Sequence, residues 1–196
     1  MKKAIFVILD RFADWEASYL SMALNGEVTD DYLVMYASRD NNLKESIGGM
    51  TMLPDLTFQD VPLDADALIL IGAQGSWWNG DHEDIRELTE RFIRAGKVVG
   101  AICDAAMWLS SVGLANSFRH KPVAADTGGP LAACSLAQDV MCVGKVVMAN
   151  CNAPVAFAAE VLRALDAAPE EKIRAFHDCY FPGFHMALND AGNAAV

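Results

Sequence analysis

The chain is short of cations, has no pair of cysteines at metal-binding spacing and contains no long apolar run, and each shortage removes a class of function. Fifteen Lys and Arg stand against 26 Asp and Glu, a net charge of −11. The clustered basic surface that phosphate recognition requires is therefore missing, which argues against a nucleic-acid partner. No stretch approaches the roughly 20 apolar residues of a membrane span, so no membrane partner is expected. The five cysteines, Cys103, Cys134, Cys142, Cys151 and Cys179, are odd in number and form no CxxC. They indicate neither a disulfide framework nor a zinc ribbon, and a reducing, cytoplasmic location is the simplest home. The apolar run Ala4 to Leu9 is interrupted by Asp10-Arg11 and is too short to read as a signal peptide.

What is abundant is apolar sequence: 53% hydrophobic against 21% charged residues excludes extended disorder and lets 196 residues bury a sizeable core. Neither a linker nor an internal repeat divides the chain, so a single domain over 1–196 is expected, with a small molecule as substrate. Residues 3–9 read as a buried strand, followed by a helix from Asp14, a plausible N-cap, to Asn25-Gly26. Tyr32 to Ala37 read as a second strand, Ile47 to Leu56 as a glycine-containing hairpin or loop, and residues 67–71 as a third strand running into Gly72-Ala73-Gln74-Gly75-Ser76-Trp77-Trp78. A charged helix over about 83–95 closes at Gly96. Val140 to Ala149 suggest late strand structure, Pro154 to Leu165 a helix, and 169–180 a last helix. Short buried strands alternating with helices predict an open, mostly parallel sheet covered on both faces.

The segment Val98 to Leu109 carries the most chemistry. An apolar strand ends at Cys103 and a helical pattern begins at once, so the thiol stands at a sharp bend beside the free N–H groups of a helix start. That placement can lower a thiol pKa from about 8.5 and gives the logic of a nucleophile elbow with sulfur in place of oxygen. The alternative is a small buried hydrophobe. Glu16 after strand one, Gly72 to Trp78 after strand three, Cys103 after strand four and His120 beyond the elbow helix all converge on the carboxyl edge of the sheet, where ligands of such folds bind. The acidic run Asp81-His82-Glu83-Asp84 reads as a solvated helix start rather than a metal site, because consecutive residues do not face one point.

These pieces, namely Leu9 to Glu16, Leu70 to Trp77, Gly100 to Cys103, Val112 to His120 and Ala149 to Pro154, together resemble the ThiJ/PfpI family of the class I glutamine-amidotransferase-like superfamily. The resemblance implies a flavodoxin-like sheet with a cysteine nucleophile elbow. By position, Cys103 resembles the family's nucleophile, Glu16 the acid that contacts its sulfur, and His120 a histidine that orients the thiolate or acts as base; each also has a plainer reading as a packing, helix-start or surface residue. Gly72, Ala73 and Gly75 resemble the loop whose amides face the reacting oxygen, with Asp104 and Trp77 completing the substrate surround; Trp77-Trp78 read as an aromatic wall or as dimer packing.

Two departures stand out. Ala73 occupies a place where the family often has glycine, and Asp104 replaces the histidine that protease-like members carry after the cysteine. A carboxylate there opposes thiolate formation, or else points away and caps the helix. The late His-x-Glu pair of glutamine amidotransferases is also absent: His177 precedes Asp178-Cys179 and His185 precedes Met186-Ala187. The family is functionally mixed, so the resemblance implies a cofactor-independent cysteine enzyme of glyoxalase-like or amidase/hydrolase-like type, with a redox-sensing or stress-response protein and an inactive scaffold as alternatives. A homodimer is implied as well.

Overall fold

The computed structural model describes residues 1–115, 136 and 138–181. Its centre is a seven-stranded sheet made of β1 (Lys2–Val7), β2 (Tyr32–Ser38), β5 (Leu56–Thr57), β6 (Ala67–Leu70), β7 (Val98–Ile102), β8 (Val140–Val143) and β9 (Val146–Ala149), in the order β5-β2-β1-β6-β7-β9-β8. All neighbours are parallel except β8 against β9. The buried stretch of β1 and all of β6 and β7 bury successive side chains rather than alternate ones, which is the signature of strands covered on both faces. Each Ile, Leu or Phe sealed there contributes about 1.5–3 kcal/mol of transfer free energy.

Helices α1 (Asp14–Met22), α4 (Pro154–Ala164) and α5 (Glu170–Tyr180) form one contiguous layer, while α2 (Glu83–Arg94) packs separately against β6 and β7. A short helix α3 (Asp104–Ser111) leaves β7 directly. The segment expected as a hairpin or loop is resolved in detail: β3 (Lys44–Glu45) pairs antiparallel with β4 (Thr51–Met52), and β5 then joins the edge of the main sheet. Gly96 ends α2 at φ 66°, with Lys97 N–H returning to Phe92 O, because an L side chain would strain that left-handed turn.

Asp14 departs from its expected place. It is the first helical residue rather than the cap. Ala13 is held extended by its N–H to Gly72 O at 2.8 Å, so the helix begins one residue later, and the Asp14 carboxylate turns to Ser46 Oγ at 3.1 Å. The chain runs outward from β1 to β2 on one side and to β6 and β7 on the other. The gap between the β1 and β6 loops is therefore the point where strand order reverses.

Candidate active site

Cys103 joins β7 to α3 with φ 63° and ψ −133°, a left-handed conformation that side chains other than glycine rarely adopt. The backbone is pinned there from both directions. Its N–H donates to Ala149 O at 3.0 Å, and its carbonyl accepts from Ala106 N–H at 3.2 Å. Such strain persists where the surroundings over-determine it.

Gly72 explains why the neighbouring residues can meet this cysteine. A Cβ at Gly72 would stand 2.5 Å from Glu16 Oε2, 2.7 Å from Cys103 Cβ and 3.1 Å from Asp104 Oδ1. Two carboxylates and the cysteine thus crowd into the space that a missing methyl leaves. Ala73, in contrast, needs no glycine. It has no positive φ, is 1% exposed, and forms a bridge to Phe12.

Glu16 lies in the first turn of α1 and is fully buried. Its Oε2 accepts from Gly72 N–H at 3.0 Å, while Oε1 has no hydrogen-bond donor. Burial pushes the carboxyl up to about 7; interactions with the Cys103 thiol and the Gly72 amide pull it down, and the Asp104 charge adds a smaller upward push. The thiol acts on this carboxyl without reaching hydrogen-bond geometry to Oε1.

Asp104 does not point away from the site as a helix cap does. Its Oδ1 accepts from Ala73 N–H at 2.7 Å, and the amides of Gly75, Ala105 and its own residue also act on the carboxyl. Burial outweighs these donors and raises it to about 6. For Cys103 the expected lowering by the helix start is overturned. Burial pushes the thiol above its ordinary value, and the charges of Glu16 and Asp104 push it further in the same direction. Gly72 and Ala73, read from sequence as oxyanion donors, have their amides engaged by Glu16 and Asp104.

Trp77 is not a pocket wall. It is 1% exposed, donates Nε1–H to Ile71 O at 2.8 Å, and packs at 4.8 Å between ring centroids against Trp108; Trp78 is the exposed member of the pair. The acidic run at the start of α2 disperses, with Asp84 paired to Arg39, Glu83 to Arg86, and Asp81 Oδ1 accepting from Glu83 N–H. His120 lies outside the described residues, as do Cys134 and His185. Cys151 is disulfide-bonded, which corrects the expectation of unlinked cysteines; its partner lies outside the described residues. Sequence reading missed a polar crevice of about 160 Å³ on the same edge of the sheet, lined among others by Asp10, Arg39, Asp40 and Lys44. Its signal in the sequence is only the alternation of opposite charges after β2. No helix among the described residues is long and apolar enough to cross a membrane.

Comparison with known proteins bears on the fold and the family. Two Bacillus subtilis proteins are similar over most of the chain. The uncharacterized protease YdeA is 28% identical over 210 residues, covering 100% of each chain. The uncharacterized protease YoaZ is 23% identical over 187 residues, covering 90% of this chain and 89% of the other. Among solved structures, the DJ-1 superfamily protein Atu0886 from Agrobacterium tumefaciens superposes with a TM-score of 0.75 at 28% identity, covering 90% of this chain and 96% of that one. A thiJ/pfpI family protein from Bacillus anthracis, at 24% identity, superposes with a TM-score of 0.77 over 90% and 89% and bears on the fold alone. The model of the DJ-1/PfpI family matches residues 2–125, the span that holds Glu16, Gly72, Cys103 and Asp104, and the chain belongs to that family.

Proposed function

We propose that this protein is a cofactor-independent cysteine enzyme acting on a small carbonyl compound or amide, with Cys103 as nucleophile and Glu16 as proton carrier. The observation that supports it is the convergence of Cys103, Glu16 and Asp104 around the missing side chain of Gly72, with the Glu16 carboxyl held near neutrality. A base with a pKa near 7 is ionised in about half the molecules at neutral pH and is well matched to accept and return a proton. The resting thiol is protonated, so the step is attack with proton transfer rather than attack by a preformed thiolate. As Cys103 Sγ bonds to an aldehyde carbon, the S–H proton passes to Glu16 and a proton passes from Glu16 to the carbonyl oxygen. The product is a neutral hemithioacetal, which does not call on the amides that Glu16 and Asp104 occupy.

In the glyoxalase-like form, Glu16 then carries a proton from the former aldehyde carbon to its neighbour, while the hemithioacetal hydroxyl gives up its proton and the neighbouring ketone oxygen takes one up, giving a thioester of a 2-hydroxy acid. Water releases it, so that methylglyoxal becomes lactate. In the hydrolase form, attack on an ester or amide expels the leaving group and water hydrolyses the acyl thioester; the word protease in the names of both Bacillus subtilis relatives favours that form. There the Gly72, Ala73 and Gly75 amides serve the oxyanion once the carboxylates yield. His120 is retained as a third candidate group. Lactate formation from methylglyoxal and burst release from an activated ester test the two forms. Cys103→Ala abolishes whichever is found, and undiminished turnover in that variant overturns the assignment.

A second reading is favoured by the donor-free, fully buried Glu16 Oε1 beside the thiol. Peroxide oxidation of Cys103 to a sulfenic acid creates an O–H that this oxygen can accept, a redox sensor without turnover. A homodimer is also part of the proposal, supported by exposed Leu43, Met50 and Leu53 on or beside the β3–β4 hairpin. Sedimentation showing only monomer at micromolar concentration would count against it.

A further inference from the structure

We propose that Asp104 determines the specificity of this site, selecting uncharged carbonyl compounds over those that carry a carboxylate beside the reacting carbon. The inference rests on the reading of Cys103 as the reacting group and goes beyond it by naming the class of compound that reaches the sulfur. A loop that turns through Gly72 to Gly75 (Gly75 at φ 78°) presents successive amides toward the strand-order switch, an arrangement that ordinarily cradles an anion. In this chain the cradle is already filled. Gly72 N–H is held by Glu16 at 3.0 Å, and Ala73 N–H by Asp104 at 2.7 Å.

A first-turn aspartate usually serves its own helix or water. Asp104 is 9% exposed and spends its carboxylate on the neighbouring loop instead, within 3.1 Å of the point where a Gly72 Cβ would stand. An incoming carboxylate therefore meets two consequences at once. Its natural donors are occupied, and it must lie beside one or two buried negative charges where solvent screens poorly. Arg11, on the loop after β1, does not compensate: it is turned to Gln74 Oε1 at 3.0 Å and Glu45 Oε1 at 3.8 Å. An uncharged carbonyl makes no such demand, since its oxygen takes up a proton as the S–C bond forms.

Iodoacetamide and iodoacetate have the same reacting carbon and differ chiefly in charge, so together they read this selection without requiring turnover. Second-order labelling rates are measured at pH 8 on the intact chain by peptide mass spectrometry, with exposed Cys142 in the same tube as internal reference. The preference for iodoacetamide at Cys103, divided by that at Cys142, is expected to be about tenfold or more. Asp104→Asn keeps an oxygen for the Ala73 amide but removes the charge, and the preference falls several-fold. Asp104→Glu keeps the charge and keeps the preference. A normalised ratio near one in the unaltered protein overturns the proposal, as does an unchanged ratio in Asp104→Asn. Failure of iodoacetamide to label Cys103 also overturns it, because the uncharged reagent must reach the sulfur. A protein that shows the preference but no turnover refutes the enzymatic reading and leaves the charge selection standing.

Discussion

Beyond β2, Lys44 is buried to 5% exposure with Asp40 at 2.7 Å and Asp10 at 3.7 Å, and Arg39 lies beside it with Asp84 at 3.2 Å. Around Gly72, beyond β6, Glu16 and Asp104 are buried beside the half-buried Cys103, and their contacts are amides and one another. Both clusters sit on the carboxyl edge of one sheet, yet they treat charge oppositely. Around Lys44 each cation meets a solvated carboxylate, and Asp40 is held below its ordinary value, chiefly by its hydrogen bond from Lys44. Around Gly72 no opposite charge arrives among the described contacts, so burial moves Glu16 to about 7 and Asp104 to about 6. One edge can therefore hold the fold and still carry reactive groups. Pairing fixes protonation states, whereas burying acids without cations brings them to the pH at which protons move.

The largest effect is expected from Glu16→Gln. The folded-state value of Glu16 is raised from 4.5 to about 7, so the native state binds more protons than the unfolded chain between those values. Stability is therefore unaffected below about pH 4.5, falls as pH rises to about 7, and carries a constant penalty above. A shift of that size corresponds to a differential on the order of 3 kcal/mol. Glutamine keeps an oxygen for Gly72 N–H and cannot ionise, so the variant should gain about that much over the unaltered protein on going from pH 4 to pH 8. Urea unfolding at the two values measures it. An equal difference between the proteins at both pH values would mean that Glu16 titrates as an ordinary carboxylate.

The two clusters also differ in how much of each was legible in the sequence. β1, β6 and β7 were readable because burial on both faces leaves an uninterrupted apolar run, and Cys103 because such a run stops at it and a helix begins. Glu16 and the Gly72 loop were readable as a family pattern. The acceptor role of Asp104 was not, because it depends on Ala73, 31 residues away in sequence, and local reasoning offered only repulsion or a cap. The raised thiol value was missed for the same reason, since the helix start is visible locally and the burial beside two acids is not. Trp77 was misplaced because a tryptophan in a loop gives no sign of whether its ring turns inward; here Ile71 O and Trp108 draw it into the core. The crevice had only the opposite charges between Arg39 and Lys44 as its signal, a pattern shared with any solvated loop.

The smaller effect comes from the paired cluster, and its sign is what sharpens the contrast. Lys44→Met keeps the length of a buried stem and removes the ammonium. Breaking an ion pair is severe when it strands a buried charge, but Asp40 and Asp10 have side chains 48% and 66% exposed, so water takes over the solvation of both. The cost at pH 7 is therefore expected within about 1 kcal/mol, the range of pairs with an exposed partner. Its pH dependence runs opposite to that of Glu16. Because the folded Asp40 is depressed below 3.8, its contribution is present above that value and is lost as pH falls through the lowered one. Lys44→Met should thus bring the acid limb of the stability profile closer to that of an unpaired aspartate and leave the decline between about 4.5 and 7 in place, while Glu16→Gln leaves the acid limb and removes the Glu16 share of that decline, the share of Asp104 between about 3.8 and 6 remaining. A double variant in which both limbs change by the sum of the single effects shows two independent clusters. A shortfall from that sum would mean that the segment from Asp10 to Ala13, whose backbone bonds to both the Glu45 and the Gly72–Gln74 segments, couples one to the other.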